Sequence, residues 1–408
     1  MSFLAINGGK PVRTNPFPVW PVWGDEEITY LTNVIKSGNW GSLTGKLTPE
    51  FEQKFAEYQN AKYGICVNSG TTALKIALTA ADVDSGSEVI VPAYTFIATA
   101  TAVVEMGGIP IFVDIDPDTY NIDIKKAEEA ITKKTTAIMP VHFAGRPTDM
   151  DAIIKLAKKY NLKIIEDAAQ AWGAEWKGRR VGAIGDAGCF SFQSSKNINS
   201  GEGGIILTND ELVAKMAKSH INCGRSEEGL WYEHFYFGGN YRITELQTAV
   251  LLAQFERYDE LKEIRQKNYL YLSENLSNIE GIEPLKDDPD VTSHACHLFI
   301  FKYKKEYFAN KSKSSFIEAM RKEGIFTSPG YSIPLYKQPV FLNKAFGPRG
   351  RSVNLPVDYK NNFCPETEKA CYEEAIWFTQ NILLGTEQDM DDIVSAITKI
   401  KENAEELN

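Results

Sequence analysis

Between residues 63 and 208, short uninterrupted apolar runs alternate with longer stretches of helical periodicity, and this rhythm limits the folds open to the chain. Runs at 63–67, 89–91, 109–113, 137–141 and 162–165 read as strands, separated by helical patterns at 71–81, 96–106, 124–131 and 150–160. A strand that is apolar at every position leaves no face for water, so its sheet must be covered on both sides. Strands that return through helices run parallel. The expectation is an α/β fold with a mostly parallel central sheet. Two further strands, 188–192 and 205–208, flank a glycine-rich turn, and helical patterns follow at 210–219 and, as one long element, at 244–272. Beyond about residue 275 the alternation gives way to sparser elements, with strands at 297–303 and 382–385 and helices at 314–323 and 387–401. These read as a small α+β C-terminal domain. The division expected is a large domain over 1–260 and a small one over 261–408.

At the start of the chain, Pro11, Pro16, Pro18 and Pro21 argue for an extended arm rather than a helix. A helix capped by Asp25 is expected over 25–36, then a loop carrying Trp40, then a short helix over 49–58. The run 89–104 is free of charge and approaches the length of a membrane span, but Pro92 interrupts it, so a buried strand followed by a buried helix explains it better. No basic leader precedes an apolar stretch at the N-terminus. Six cysteines without a C-x-x-C pair fit reduced thiols and a cytoplasmic location. A formal net charge of −10 argues against nucleic acid as a partner, though not against a small anionic ligand.

The chemistry collects at strand ends. Lys196 lies between an apolar run ending near Phe192 and the turn Gly201-Glu202-Gly203-Gly204. A lysine oriented by a strand end can form a Schiff base with an aldehyde, including that of pyridoxal phosphate. Ser191, five residues earlier, offers a hydroxyl for a phosphate oxygen. Asn68-Ser69-Gly70-Thr71 joins a strand to a helix, where free amides and the Thr71 hydroxyl make a phosphate cradle or simply a capped helix start. Phe96, just past another strand, is placed to stack on a planar ring or to fill the core. Asp167 closes a buried apolar strand, where a carboxylate needs a partner; a protonated ring nitrogen or a helix N-terminus would serve. In an α/β sheet such strand ends converge on one ligand site.

These motifs together resemble the DegT/DnrJ/StrS sugar aminotransferases, a branch of the fold-type I enzymes that use pyridoxal 5'-phosphate. The resemblance runs from Asn7-Gly8-Gly9-Lys10-Pro11 through Pro92-Ala93-Tyr94-Thr95-Phe96, Pro140-Val141-His142 and Glu166-Asp167-Ala168-Ala169-Gln170 to the lysine turn. It implies that Lys196 carries the cofactor and shuttles protons, that Asp167 pairs the pyridine nitrogen, and that Phe96 stacks on the ring. It places Gly70, Thr71 and Ser191 at the phosphate, Gln170 near the ring oxygen, and Asn240 at the phosphate of a partner subunit, hence a homodimer. Trp40, His142, Arg242 and Tyr336 are the substrate-binding candidates, and no metal site is expected. Relatives that replace the lysine are dehydratases; Lys196 is present and favours transamination.

The function expected is therefore transfer of an amino group from glutamate or glutamine to a keto-sugar or keto-cyclitol. The opening arm, the lysine turn and Pro334-Leu335-Tyr336 lean toward the cyclitol and aminobenzoate branch. A nucleotide-linked keto-hexose is the alternative acceptor, with Arg225 and Arg242 available for a diphosphate. A non-catalytic sensor on the same fold is a further alternative. A nicotinamide dehydrogenase is disfavoured because the first strand-helix turn lacks G-x-G-x-x-G.

Overall fold

In the computed structural model, which describes residues 3–407, the alternating region folds into a seven-stranded sheet. Its strands are β1 (Tyr63–Val67), β2 (Glu88–Pro92), β3 (Ile109–Val113), β4 (Thr135–Ile138), β5 (Lys163–Asp167), β6 (Ala187–Ser191) and β7 (Gly204–Thr208). The spatial order is β1-β7-β6-β5-β4-β2-β3. Neighbours from β3 to β6 pair in parallel, whereas β7 lies antiparallel between β6 and β1. The antiparallel step follows from the short lysine turn, which is too brief for a crossover helix.

Period-two alternation sorts the strand residues into two cores. Ile65, Val67, Val89, Val91 and Ile206 pack under the helices Gly70–Ala80, Ala98–Glu105 and Glu211–Ile221. Cys66, Ile90, Ile138, Phe190 and Ile205 pack under Leu47–Tyr58, Met150–Tyr160 and Glu245–Glu256. The uncharged run at 89–104 is thus a central strand, a turn and a covered helix. Among the described residues no helix is long and apolar enough to cross a membrane.

The C-terminal part builds a second sheet from β8 (Ile282–Pro284), β9 (Leu298–Tyr303) and β10 (Ala375–Thr379), all antiparallel. Phe299, Phe301, Ile376 and Phe378 bury one face against the helices Tyr258–Ser277, Lys313–Lys322 and Glu387–Glu402. Leu4 of the N-terminal arm enters this same core. The expected division at residue 260 falls inside the helix Tyr258–Ser277.

Three local expectations differ from the structure. The helix over 244–272 is two helices broken at Arg257, whose guanidinium is held by Glu26 and Glu27 of the first long helix. The apolar run 382–385 is a 3-10 turn leading into the Thr386 cap, while the strand lies upstream at β10. The cap of the first long helix is Gly24, whose amide donates to Glu27, and Asp25 is already helical.

Candidate active site

The C-terminal ends of β1, β5 and β6 and the start of β7 bring the singled-out residues together. Ser69 caps the helix Gly70–Ala80, its hydroxyl accepting from the Thr72 amide at 3.2 Å. No hydrogen bond from the Gly70 or Thr71 amide is found among the described residues, as the first turn of a helix allows. A Cβ built on Gly70 would stand 2.7 Å from the Ser191 Cβ and 3.1 Å from its hydroxyl oxygen. One built on Gly204 would meet the Gly70 nitrogen at 2.8 Å. Two glycines therefore let the helix start, Ser191 and the exit of the lysine turn share one small space.

Asp167 is buried at the end of β5. One carboxylate oxygen accepts from the Thr99 hydroxyl at 2.7 Å and the other from the Ala169 amide at 3.2 Å. Burial pushes its pKa up, and those two bonds offset this only in part. No cation lies within ion-pair distance of it among the described residues. Lys196 keeps some exposed surface, yet desolvation pulls its amine down to about 8 against the opposing charge of Asp167. That amine makes no hydrogen bond or ion pair among the described residues. A buried carboxylate and a desolvated lysine, each in the other's field and neither in a direct pair, make a polar site prepared for a ligand.

Gln170 accepts from the Ala144 amide at 2.7 Å, and its side chain and the charge of Asp167 both act on the hydroxyl of the partly buried Tyr331. Phe96 stands 57% exposed, so it is not core filling. Trp40 is likewise exposed, its indole donating to the Ile35 carbonyl at 3.3 Å. Asn240 is exposed and bridges to Asn222, to which Arg242 also donates at 2.9 Å. Arg242 lines a separate cavity of about 940 Å³ with Arg225, Trp231 and Tyr236.

Two of the substrate-binding candidates, His142 and Tyr336, are buried. His142 is fully buried with both ring nitrogens engaged, one with Glu166 at 2.9 Å and the other accepting from the Thr148 amide at 3.1 Å. Its partner Glu166 also accepts from Gly182, Ile184 and Gly185. Burial acts to raise the Glu166 pKa, but His142 and these amides outweigh it and hold the group below the usual carboxylate range. Tyr336 is 1% exposed, donates to Glu368 at 2.5 Å and accepts from the Cys364 amide. Both side chains are hydrogen-bonded within the chain.

The aminotransferase family model of the DegT/DnrJ/EryC1/StrS group matches residues 21–398. The chain belongs to that family. A protein of Streptoalloteichus tenebrarius provisionally named L-glutamine:3-amino-2,3-dideoxy-scyllo-inosose aminotransferase is 38% identical, over 100% of this chain and 99% of its own. The 3-amino-5-hydroxybenzoate synthase of Amycolatopsis mediterranei is 31% identical over 92% and 94% of the two chains. The crystal structure of a 3-amino-5-hydroxybenzoic acid synthase superposes with a TM-score of 0.87 at 30% identity, covering 96% of this chain and 100% of that one.

This chain is thus an aminotransferase dependent on pyridoxal 5'-phosphate. The site fits that group. Unpaired helix amides beside Ser191 suit a phosphate, a buried carboxylate without a cation suits a protonated ring nitrogen, and a free desolvated amine suits an aldehyde. Thr99 and Tyr331 were not singled out in the sequence. Thr99 gave a faint signal, as a polar residue four positions after Thr95 in an apolar run, and the two hydroxyls lie 3.1 Å apart. Tyr331 gave none, since it comes from a loop far along the chain.

Proposed function

We propose that this aminotransferase moves the amino group of L-glutamine onto the carbonyl of a free keto-cyclitol. The observation that carries the reading is the set of full-length relatives whose names give glutamine as donor and an inosose as acceptor. When bound, pyridoxal phosphate supplies the aldehyde that takes up the amino group and a ring that draws off electrons from the reacting carbon. In this reading Lys196 binds the cofactor and, when free, takes and returns the proton at its Nζ. Asp167, held by Thr99 and the Ala169 amide, keeps the ring nitrogen protonated. The Gly70 and Thr71 amides and the hydroxyls of Thr71 and Ser191 hold the phosphate, Phe96 covers the ring, and Gln170 lies near the ring oxygen.

The same reading makes the enzyme a cytoplasmic homodimer of two-domain subunits. Support comes from the loop after the helix Glu211–Ile221, where Trp231, Tyr232 and Phe235 are all more than half exposed and Phe237 is 99% exposed. Such a patch of aromatics is costly in water and suits a second copy. Asn240 and Arg242 follow that loop, so the partner's site is where they act, with Asn240 at the phosphate and Arg242 and Trp40 at the acceptor.

A nucleotide-linked keto-hexose is the second reading, favoured by the arginine-bearing cavity, where the buried Arg225 Nε has no hydrogen-bond partner among the described residues. Both are tested by assaying glutamine-dependent amination of scyllo-inosose-type ketones against nucleotide-linked 3-keto and 4-keto hexoses. Preference for the free cyclitol is expected. Preference for the nucleotide-linked sugar, weakened by Arg225→Ala or Arg242→Ala, would reverse the assignment.

A further inference from the structure

His297 immediately precedes β9, and its backbone amide donates to the Ala144 carbonyl at 2.9 Å. Ala144 in turn donates to the Gln170 side chain at 2.7 Å. The His297 imidazole turns the other way, into the lysine turn, where Nδ1 lies 2.8 Å from the Asn197 Oδ1. Asn197 is the residue next to Lys196, and its Nδ2 donates to the Ala295 carbonyl at 2.8 Å. That second bond fixes the amide so that only its oxygen faces the imidazole. An amide oxygen can only accept, so the proton of a neutral His297 sits on Nδ1. Burial, then the charges of Lys196 and Arg265, hold the imidazole's pKa well below the usual histidine value, so the ring stays neutral. The Trp172 ring packs edge-to-face with the imidazole, the two ring centroids 5.7 Å apart.

Backbone fit is equally tight. A Cβ on Gly145 would meet the Gln170 carbonyl oxygen at 2.7 Å and the Ala295 Cβ at 2.9 Å. Three segments from distant parts of the chain, at 144–145, 170 and 295–297, are thus locked together beside the lysine turn.

We propose that His297 is a positioning residue for Lys196. Through the Nδ1–H bond to Asn197 it fixes the lysine turn against β9, in a chain of bonds that ends at Gln170. The inference rests on the role given to Lys196 above. Asparagine places an amide nitrogen where Nδ1 lies, whereas glutamine places one where Nε2 lies. In the holoenzyme, His297→Asn is expected to keep kcat within about twofold of wild type. His297→Gln is expected to lose about tenfold, the rate equivalent of one lost hydrogen bond. KM for the amino donor should stay within about twofold in both, because the lesion is in orientation rather than in binding. The visible circular dichroism of bound pyridoxal phosphate should be retained in His297→Asn and reduced in His297→Gln.

Asn197→Ala reads the same link from the other end and should reproduce the tenfold fall. Equal kcat in the two histidine variants, a better glutamine than asparagine variant, or an unaffected Asn197→Ala would overturn the proposal. Failure of all three variants to fold would overturn it too, in favour of a purely structural role. A wild-type enzyme inactive on glutamine and every ketone would instead sink the functional reading, so the two failures are distinct.

Discussion

The desolvated Lys196 amine sets a measurable pH dependence for cofactor capture by the apo-protein. With its pKa at about 8 rather than 10.5, half of these amines are uncharged at pH 8. A free lysine would be roughly 0.3% uncharged there, so the reactive fraction is raised about 150-fold. The aldehyde reacts only with the neutral amine. Capture of pyridoxal phosphate, followed by growth of its visible band after stopped-flow mixing, should therefore rise through a midpoint near pH 8 and level off above it. The charge of Asp167 raises this amine's pKa, so Asp167→Asn should move the midpoint lower still. The same displacement has a stability sign. Between about pH 8 and 10.5 the unfolded chain holds a proton on Lys196 that the folded apo-protein does not. Apo stability from this group must then increase with pH across that window. A capture midpoint near 10.5, or one that rises in Asp167→Asn, would refute the reasoning.

Further outcomes follow from the site's packing. Gly70→Ala forces a methyl against Ser191; an overpacking cost of about 1–2 kcal/mol should weaken pyridoxal phosphate binding roughly tenfold without unfolding the protein, as fluorescence titration would read. Asp167→Asn should retain some cofactor but lose most turnover, and near-normal steady-state rates would count against its pairing with the ring. Glu166→Gln sets an amide against three backbone donors and His142, and should cost about 3 kcal/mol in denaturant unfolding. Because the Glu166 pKa is depressed on folding, its contribution is present above the usual carboxylate pKa and lost as pH falls through the folded value. If Asn240 completes the neighbour's site, Lys196→Ala and Asn240→Ala should restore activity in mixed dimers, and inactive mixed dimers would argue against a shared site.

Much of this was legible because the large sheet announces itself locally. Each parallel strand is a short apolar run bounded by its own helix, and the reactive residues follow the strand ends. What was not legible depends on distant partners. His142 carries a motif position that looks available until the neighbouring Glu166 and Thr148 are seen to engage both of its ring nitrogens. Tyr336 reads as a loop aromatic, but Glu368 and Cys364 fold over it from about thirty residues away. Arg257 sits inside an unbroken helical pattern, and the partners that hold its guanidinium at the break, Glu26 and Glu27, lie at the far end of the chain. The strand at Ala375–Thr379 was masked by a more apolar run just after it, which burial drives into a turn instead.

The most direct test of the central claim follows the two halves of the reaction separately. Purified enzyme loaded with pyridoxal phosphate is mixed with L-glutamine alone, and then with a free keto-cyclitol of the scyllo-inosose type. Glutamine should bleach the visible band and release one keto acid per subunit, and the ketone should restore the band as the amino-cyclitol forms. A band unchanged by glutamine, or one that only a nucleotide-linked sugar restores, would contradict the account.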